Sequence, residues 1–246
     1  MKPIKKCTLI TGASRGIGKT IAIEFAKNGY SLILNCHHSK ELLLDLKQEL
    51  ETSYGTEILA SVGDIGDFSY VSNLFKEIKQ QFGGVDVVVN NAGISYIGLL
   101  TDMSPKEWDM IIRNNLTSVF NCCHLAVPDM VRNQYGKIVN ISSVWGVAGA
   151  SCEVAYSTTK GGINAFTKAL AKELAPSNIQ VNAIACGAID TEMNHFLSDE
   201  DLLALTDEIP AGRLGRAEEV ADFVYSVTHK NQYLTGQIIQ LDGGWI

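Results

Sequence analysis

Apolar and polar positions alternate in two rhythms along the chain. Short β-branched runs occur at 5–11 (KKCTLIT), 31–35 (SLILN), 57–62 (EILASV), 85–90 (VDVVVN), 137–142 (KIVNIS), 179–185 (IQVNAIA) and 237–242 (QIIQLD). Between them, apolar residues recur every three or four positions, which predicts helices. The first runs from the glycine turn to near Gly29, the second covers SKELLLDLKQELE, and the third spans 67–82 with Asp67 as N-cap. A long helix follows from about 104 to 131, with Pro105 in its first turn, and another covers 155–174. The segment 191–209 is polar and acidic but helical in period, and 217–227 forms the last helix. The run VDVVVN is apolar at consecutive positions, as in a strand buried on both faces.

Strands alternating with helices specify an α/β fold, a Rossmann-type doubly wound parallel sheet of about seven strands with helices on both faces. No linker, repeat or low-complexity segment interrupts the 246 residues, so one domain is expected, with a substrate lid at about 190–212. Apolar residues make up 46% of the chain and charged residues 19%, which excludes a disordered chain. Twenty basic residues against 27 acidic give a net charge of −7, so there is no general attraction for nucleic acid or an anionic membrane. The apolar run in MKPIKKCTLITGA is too short for a signal peptide or a membrane span. Cys7, Cys36, Cys122, Cys123, Cys152 and Cys186 show no CxxC spacing. Reduced thiols in a cytoplasmic protein, without a metal site, are expected. The Asn-x-Ser/Thr matches at Asn115 and Asn140 then have no glycosylation meaning.

Ligands of such sheets bind beyond the carboxyl ends of the strands. After the first strand comes TGASRGIG (11–18), where Gly12, Gly16 and Gly18 permit a tight turn. The helix that follows offers free N–H groups and a positive dipole end to a phosphate, so Ser14, Arg15, Gly16 and Ile17 are candidate dinucleotide contacts. The second strand ends in NCHHS, without the carboxylate that would hold a ribose 2′-hydroxyl. Arg15 can instead face a 2′-phosphate, a charge-assisted bond of about 1.5–3 kcal/mol. NADP(H) is therefore expected over NAD(H), with His37 and His38 either assisting or standing as exposed loop histidines. In GDIGD, Asp64 can accept from the adenine amino group and Ile65 can pack on the ring; alternatively Asp64 only turns the chain. In NNAG (90–93), Asn91, Ala92 and Gly93 suit a backbone packed beside the cofactor.

The fifth strand ends at Ser142 and Ser143, and YSTTK places Tyr156 and Lys160 one turn apart on a helix face. Alone, a Tyr–Lys pair at this spacing is a common accident. With a serine at a strand end on the same side of the sheet, it becomes an acid–base site. Hydride addition to a carbonyl builds charge on oxygen, which Ser143 and Tyr156 can stabilise. A tyrosine has a pKa of about 10; a Lys160 ammonium and an oxidised nicotinamide would lower it.

TGASRGIG, NNAG, NNLTSVF, Ser143, YSTTK, GAIDT and TGQIIQLDGGW, in that order, resemble the short-chain dehydrogenase/reductase family over essentially the whole chain. Within it the sequence is most similar to the bacterial 3-oxoacyl-acyl carrier protein reductases of fatty acid biosynthesis. The resemblance implies Tyr156 as general acid, Ser143 as carbonyl holder, Lys160 as ribose ligand and tyrosine partner, and Asn115 as the residue placing a relay water. It also implies Ile189 and Thr191 at the carboxamide and Asn91 at the cofactor. A homotetramer is implied through the Tyr-bearing helix, whose Gly161, Gly162, Ala165 and Ala169 are small, its predecessor, and the last strand with its GGWI end.

Three features depart from those reductases. Cys186 stands where they usually have proline, which can loosen the entry to the lid; a catalytic thiol is disfavoured because no base is evident. Gln134 and Ser177 occupy the positions of two arginines that dock the acyl carrier protein, for which Lys137, Arg132 and Lys172 are the possible substitutes. Glu153 precedes Tyr156 by three residues, where a carboxylate suits a cationic substrate, unless it is a surface residue pointing away. GASCEV resembles reductases of an aminopentanone group on a lysine of elongation factor P, an alternative substrate. A non-catalytic NADP(H)-binding sensor is a further alternative, against which Asn115, Ser143, Tyr156 and Lys160 all argue.

Overall fold

The computed structural model describes residues 6–192 and 198–246. Seven strands form a parallel sheet: β1 (Cys7–Ile10), β2 (Ser31–Cys36), β3 (Ile58–Val62), β4 (Val87–Asn90), β5 (Gly136–Ser143), β6 (Ile179–Cys186) and β9 (Ile238–Leu241), in the order β3-β2-β1-β4-β5-β6-β9. The order reverses between β1 and β4, which opens a crevice at the carboxyl ends of those strands. Helices α1 (Gly16–Lys27), α2 (Lys40–Tyr54) and α8 (Ala217–Lys230) cover one face, with Phe25, Leu46 and Val224 packed on Leu34, Val87 and Val89. Helices α3 (Phe68–Phe82), α5 (Ser118–Asn133) and α6 (Val154–Leu174) cover the other, with Leu74, Met130 and Ile163 packed with Leu9, Val88 and Ile138. The consecutive valines of β4 thus serve both cores, as an unalternating apolar run requires.

Local chemistry sets the helix ends. The Asp67 carboxylate accepts from the N–H groups of Ser69 and Tyr70 as expected, and Gly83 closes α3 at φ 79°. Helix α4 (Pro105–Ile112) begins in a capping box between Ser104 and Glu107.

The predicted helix over 104–131 is not continuous. A five-residue π-helical turn, Arg113–Thr117, separates α4 from α5, with the Ser118 N–H donating to the Arg113 carbonyl. Such bulges are frequent at functional sites, and this one carries Asn115. The predicted helix over 191–209 is also shorter. Strands β7 (Ile189–Asp190) and β8 (Gly215–Arg216) form a small parallel pair, and α7 runs only over Asp199–Glu208. Residues 193–197 of the expected lid lie outside the described residues.

Candidate active site

The segments after the strands enclose a cavity of about 1390 Å³. Its floor is the glycine turn, where Gly12 and Gly16 have φ of 64° and 52°. A Cβ on Gly12 would stand 2.9 Å from Ala92 Cα, and one on Gly18 would stand 2.2 Å from the Gly12 carbonyl oxygen. Ser14, Arg15, Gly16 and Ile17 line the cavity; Gly18 lies beneath the turn and permits its closeness to α1. Asn91 Nδ2 donates to the carbonyls of Thr11 and Gly12 at 2.9 and 3.0 Å, and Thr11 Oγ1 accepts from the N–H groups of Asn91 and Ala92. Asn91 therefore braces the turn as well as lining the cavity beside Ala92 and Gly93.

Arg15 is exposed, and its side chain makes no hydrogen bond or ion pair with the protein among the described residues, so its guanidinium is free for a ligand. His37 and His38 stack at 3.8 Å and line the same cavity. Asp64 lines it too, but its carboxylate is already engaged: it accepts from the Gly66 N–H at 2.7 Å and pairs with Arg113 at 2.7 Å. The turn-forming role and the ligand-facing position thus coexist. Ile65 is nearly buried on the cavity wall. Ile189 and Thr191 line the cavity from the β6–β7 side.

Ser143, Tyr156 and Lys160 meet at the ends of β5 and α6. Ser143 and Tyr156 line the same wall of the cavity, and Ser143 Oγ accepts from the Trp145 N–H at 3.1 Å. Lys160 is 4% exposed; Nζ donates to the Ile141 carbonyl at 2.7 Å and stands 5.5 Å from the Tyr156 ring centre. Gly146 makes this possible, because a Cβ there would stand 2.6 Å from the Lys160 carbonyl carbon. Burial lowers the Lys160 ammonium to about 8, opposed by its neighbour Cys186. Burial also pushes the Tyr156 phenol well above its ordinary value; the Ser143 hydrogen bond opposes this, while Cys186 and Glu153 add to it. In the chain alone, burial therefore outweighs the lowering expected from Lys160, and Tyr156 is held as a protonated acid.

Asn115 is fully buried and absent from the cavity wall. Its Oδ1 accepts from the Ile94 N–H at 2.8 Å, and Nδ2 donates to the Ile94 carbonyl at 2.9 Å and to Thr159 Oγ1 at 3.2 Å. The amide ties the loop after β4 to the residue beside Lys160, a bracing role that motif matching alone did not suggest.

Glu153 faces the cavity rather than pointing away; burial raises its carboxyl above the usual range, opposed by a hydrogen bond with the Trp145 side chain. Cys186 pairs in register with Ser143 and lines the cavity, and burial pushes its thiol up to about 12, so no thiolate nucleophile stands there. All six cysteines are free thiols. Lys137 cannot substitute as a carrier-docking charge: it is 4% exposed, with its ammonium donating to Gln180 and to the Asn231 carbonyl. Arg132 is exposed but bonded to Asp129 at 2.6 Å, and Lys172 is exposed. Asn115 and Asn140 are both fully buried, so neither sequon can carry a glycan in the folded chain.

Among the wall residues that the sequence reading missed are Arg113, Trp145 and Trp245. Arg113 is brought to Asp64 by the π-helical turn, which the 3.6-residue period conceals. Trp145 and Trp245 meet edge to face at 4.8 Å across 100 positions, a contact without local signal.

A glycine turn and a Ser–Tyr–Lys cluster on one cavity define a dehydrogenase class, and the sequence comparisons agree. The profile of the short chain dehydrogenases matches residues 6–202; the chain belongs to this family and is an oxidoreductase acting on the CH–OH/C=O couple, as nicotinamide-dependent enzymes do. It is 41% identical over 240 residues to the 3-oxoacyl-acyl-carrier-protein reductase FabG of Staphylococcus aureus, covering 97% of each chain. It is 39% identical over 243 residues to an uncharacterized oxidoreductase of Bacillus subtilis, YmfI, covering 98% of this chain and 99% of that one. Among solved structures, YwfH, an NADPH dependent reductase involved in bacilysin biosynthesis, superimposes with a TM-score of 0.93 at 25% identity over 98% of both chains. Among the described residues no helix is long and apolar enough to cross a membrane.

Proposed function

We propose that the protein is an NADPH-dependent carbonyl reductase, with a 3-oxoacyl thioester as its first substrate class. The reading is carried by Ser143 and Tyr156, with the buried Lys160, on one cavity with the glycine turn. The glycine cradle, which a Cβ would fill, and the free Arg15 fit a phosphorylated dinucleotide. Ser14 to Ile17 would hold its phosphates, His37, Asp64 and Ile65 its adenosine end, and Ile189 and Thr191 its carboxamide. When bound, the nicotinamide supplies a hydride to the carbonyl carbon. Ser143 and Tyr156 would both donate to the carbonyl oxygen, with Tyr156 giving its proton to the nascent alkoxide. The Lys160 ammonium then stabilises the phenolate left behind.

A second substrate reading, an amine-bearing ketone such as the aminopentanone group on a lysine of elongation factor P, is favoured by Glu153 on the cavity wall. A paired assay separates the two: acetoacetyl thioester against an amine-bearing ketone, each with NADPH and with NADH. NADPH turnover is expected; tight NADPH binding without turnover of any ketone would favour the non-catalytic sensor instead. Replacing Arg15 by Ala is expected to raise KM for NADPH about tenfold, as loss of one charge-assisted bond implies, and to leave KM for NADH unchanged. Equal effects on both cofactors would refute the 2′-phosphate assignment. We further infer a cytoplasmic homotetramer joined through α5, α6 and β9, whose mass light scattering reads.

A further inference from the structure

We propose that Glu153, Trp145, Trp245 and Glu208 form a recognition site for a cationic group on the substrate, selecting a positively charged ketone over a neutral one. This deepens the reductase reading and rests on it. The four side chains line the cavity that holds Ser143 and Tyr156. Trp145 meets Trp245 at 4.8 Å, and Trp245 Nε1 donates to Glu208 Oε2 at 3.4 Å. Two indoles and a carboxylate are thus linked in series, with the Glu153 carboxylate on the same cavity.

These residues come from separate parts of the chain: the turn after β5, the entry to α6, the end of α7 and the C-terminal segment. Among the described residues neither Glu153 nor Glu208 has a basic partner, and Lys160 on the same cavity is bonded to the Ile141 carbonyl. Glu208 is exposed, but Glu153 is half-buried, and a half-buried carboxylate without a cation is costly unless a ligand supplies the charge. Indole faces attract cations through the ring quadrupole, and partial desolvation strengthens the attraction. An anionic group at this end would meet two carboxylates. The two links to the catalytic pair are short in sequence: Trp145 follows Ser143 by two residues, and Glu153 precedes Tyr156 by three. Because all four residues share the cavity with Ser143 and Tyr156, a group held there can belong to the ketone being reduced.

The probes are a methyl ketone ending in a trimethylammonium group and its tert-butyl isostere. They share shape and differ in charge, and neither can cyclise onto its own carbonyl as a primary amine would. The wild type is expected to prefer the cationic ketone by about tenfold or more in kcat/KM. Glu153→Gln and Glu208→Gln should each lower that preference severalfold while leaving the melting temperature nearly unchanged. A merely structural role in joining α7 to the C-terminal segment would not move charge preference. Equal use of both ketones by the wild type, or full preference in both Gln variants, overturns the proposal. If neither ketone nor an acetoacetyl thioester is reduced, the reductase reading falls. The proposal is then decided by titrating the NADPH-loaded protein with the trimethylammonium ketone and following tryptophan fluorescence. Saturable quenching, weakened in Glu153→Gln, upholds it; no saturation overturns it.

Discussion

Tyr156→Phe should lower ketone reduction by about a hundred- to ten-thousandfold, the usual contribution of a positioned general acid, while NADPH binding stays within a factor of about two. Phe removes only the phenol oxygen, which shares the cavity wall with Ser143, and retains the ring. The loss should appear in kcat, since the proton is needed only as charge grows on the carbonyl oxygen. Single-turnover kinetics with NADPH fluorescence measures both terms. Wild-type turnover in the variant would remove Tyr156 from the mechanism. Lys160→Met tests the partner. An ammonium near the phenol favours its ionised form, so removing it should move the pH profile of alcohol oxidation to higher pH. The Lys160 ammonium itself titrates at about 8, below its ordinary value because it is buried. The wild-type advantage over Lys160→Met should therefore shrink as pH rises through that region. A parallel, unshifted profile would show that the ammonium acts only through packing.

Much of this site was legible because its residues lie just after strands, where a doubly wound sheet gathers them. Gly12, Asp64, Asn91, Ser143 and Thr191 are far apart in sequence, yet each follows or ends a strand, and all line one cavity. The strands themselves were readable from unbroken apolar runs, and their parallel order followed from the helices between them. What escaped reading has long-range causes. Asn115 in a continuous helix would have followed the 3.6-residue period; its bonds to Ile94 and Thr159 belong to a π-helical turn instead. Lys137 looked like a surface charge at the start of β5, but the Gln180 side chain and the Asn231 carbonyl hold it inside. The sign of the Tyr156 shift depends on burial, which only the packed structure reveals.

Gly18→Ala should be the most damaging single methyl addition to the cofactor side. The new Cβ would stand 2.2 Å from the Gly12 carbonyl oxygen and 2.6 Å from Asn91 Nδ2. Neither can yield cheaply: the first is main chain, and the second is fixed by two hydrogen bonds to the Thr11 and Gly12 carbonyls. Relief requires the turn to lift from α1 and the Asn91 brace to break. Overpacking of this kind costs about 1–3 kcal/mol, which for a chain of this size lowers Tm by about 2–4 °C per kcal/mol. The larger effect falls on the ligand, because the displaced backbone is the one that must cradle the phosphates. NADPH affinity should drop at least about tenfold, equivalent to about 1.4 kcal/mol, and by more than the stability loss alone predicts once binding is measured well below the melting transition. Gly161→Ala is the control: its Cβ would meet only the Gly146 carbonyl oxygen at 3.6 Å, ordinary contact, in a helix that favours alanine over glycine by about 1 kcal/mol. NADPH titration and thermal melts of both variants decide the matter, and an unchanged dissociation constant in Gly18→Ala would mean that the turn between β1 and α1 does not hold the dinucleotide.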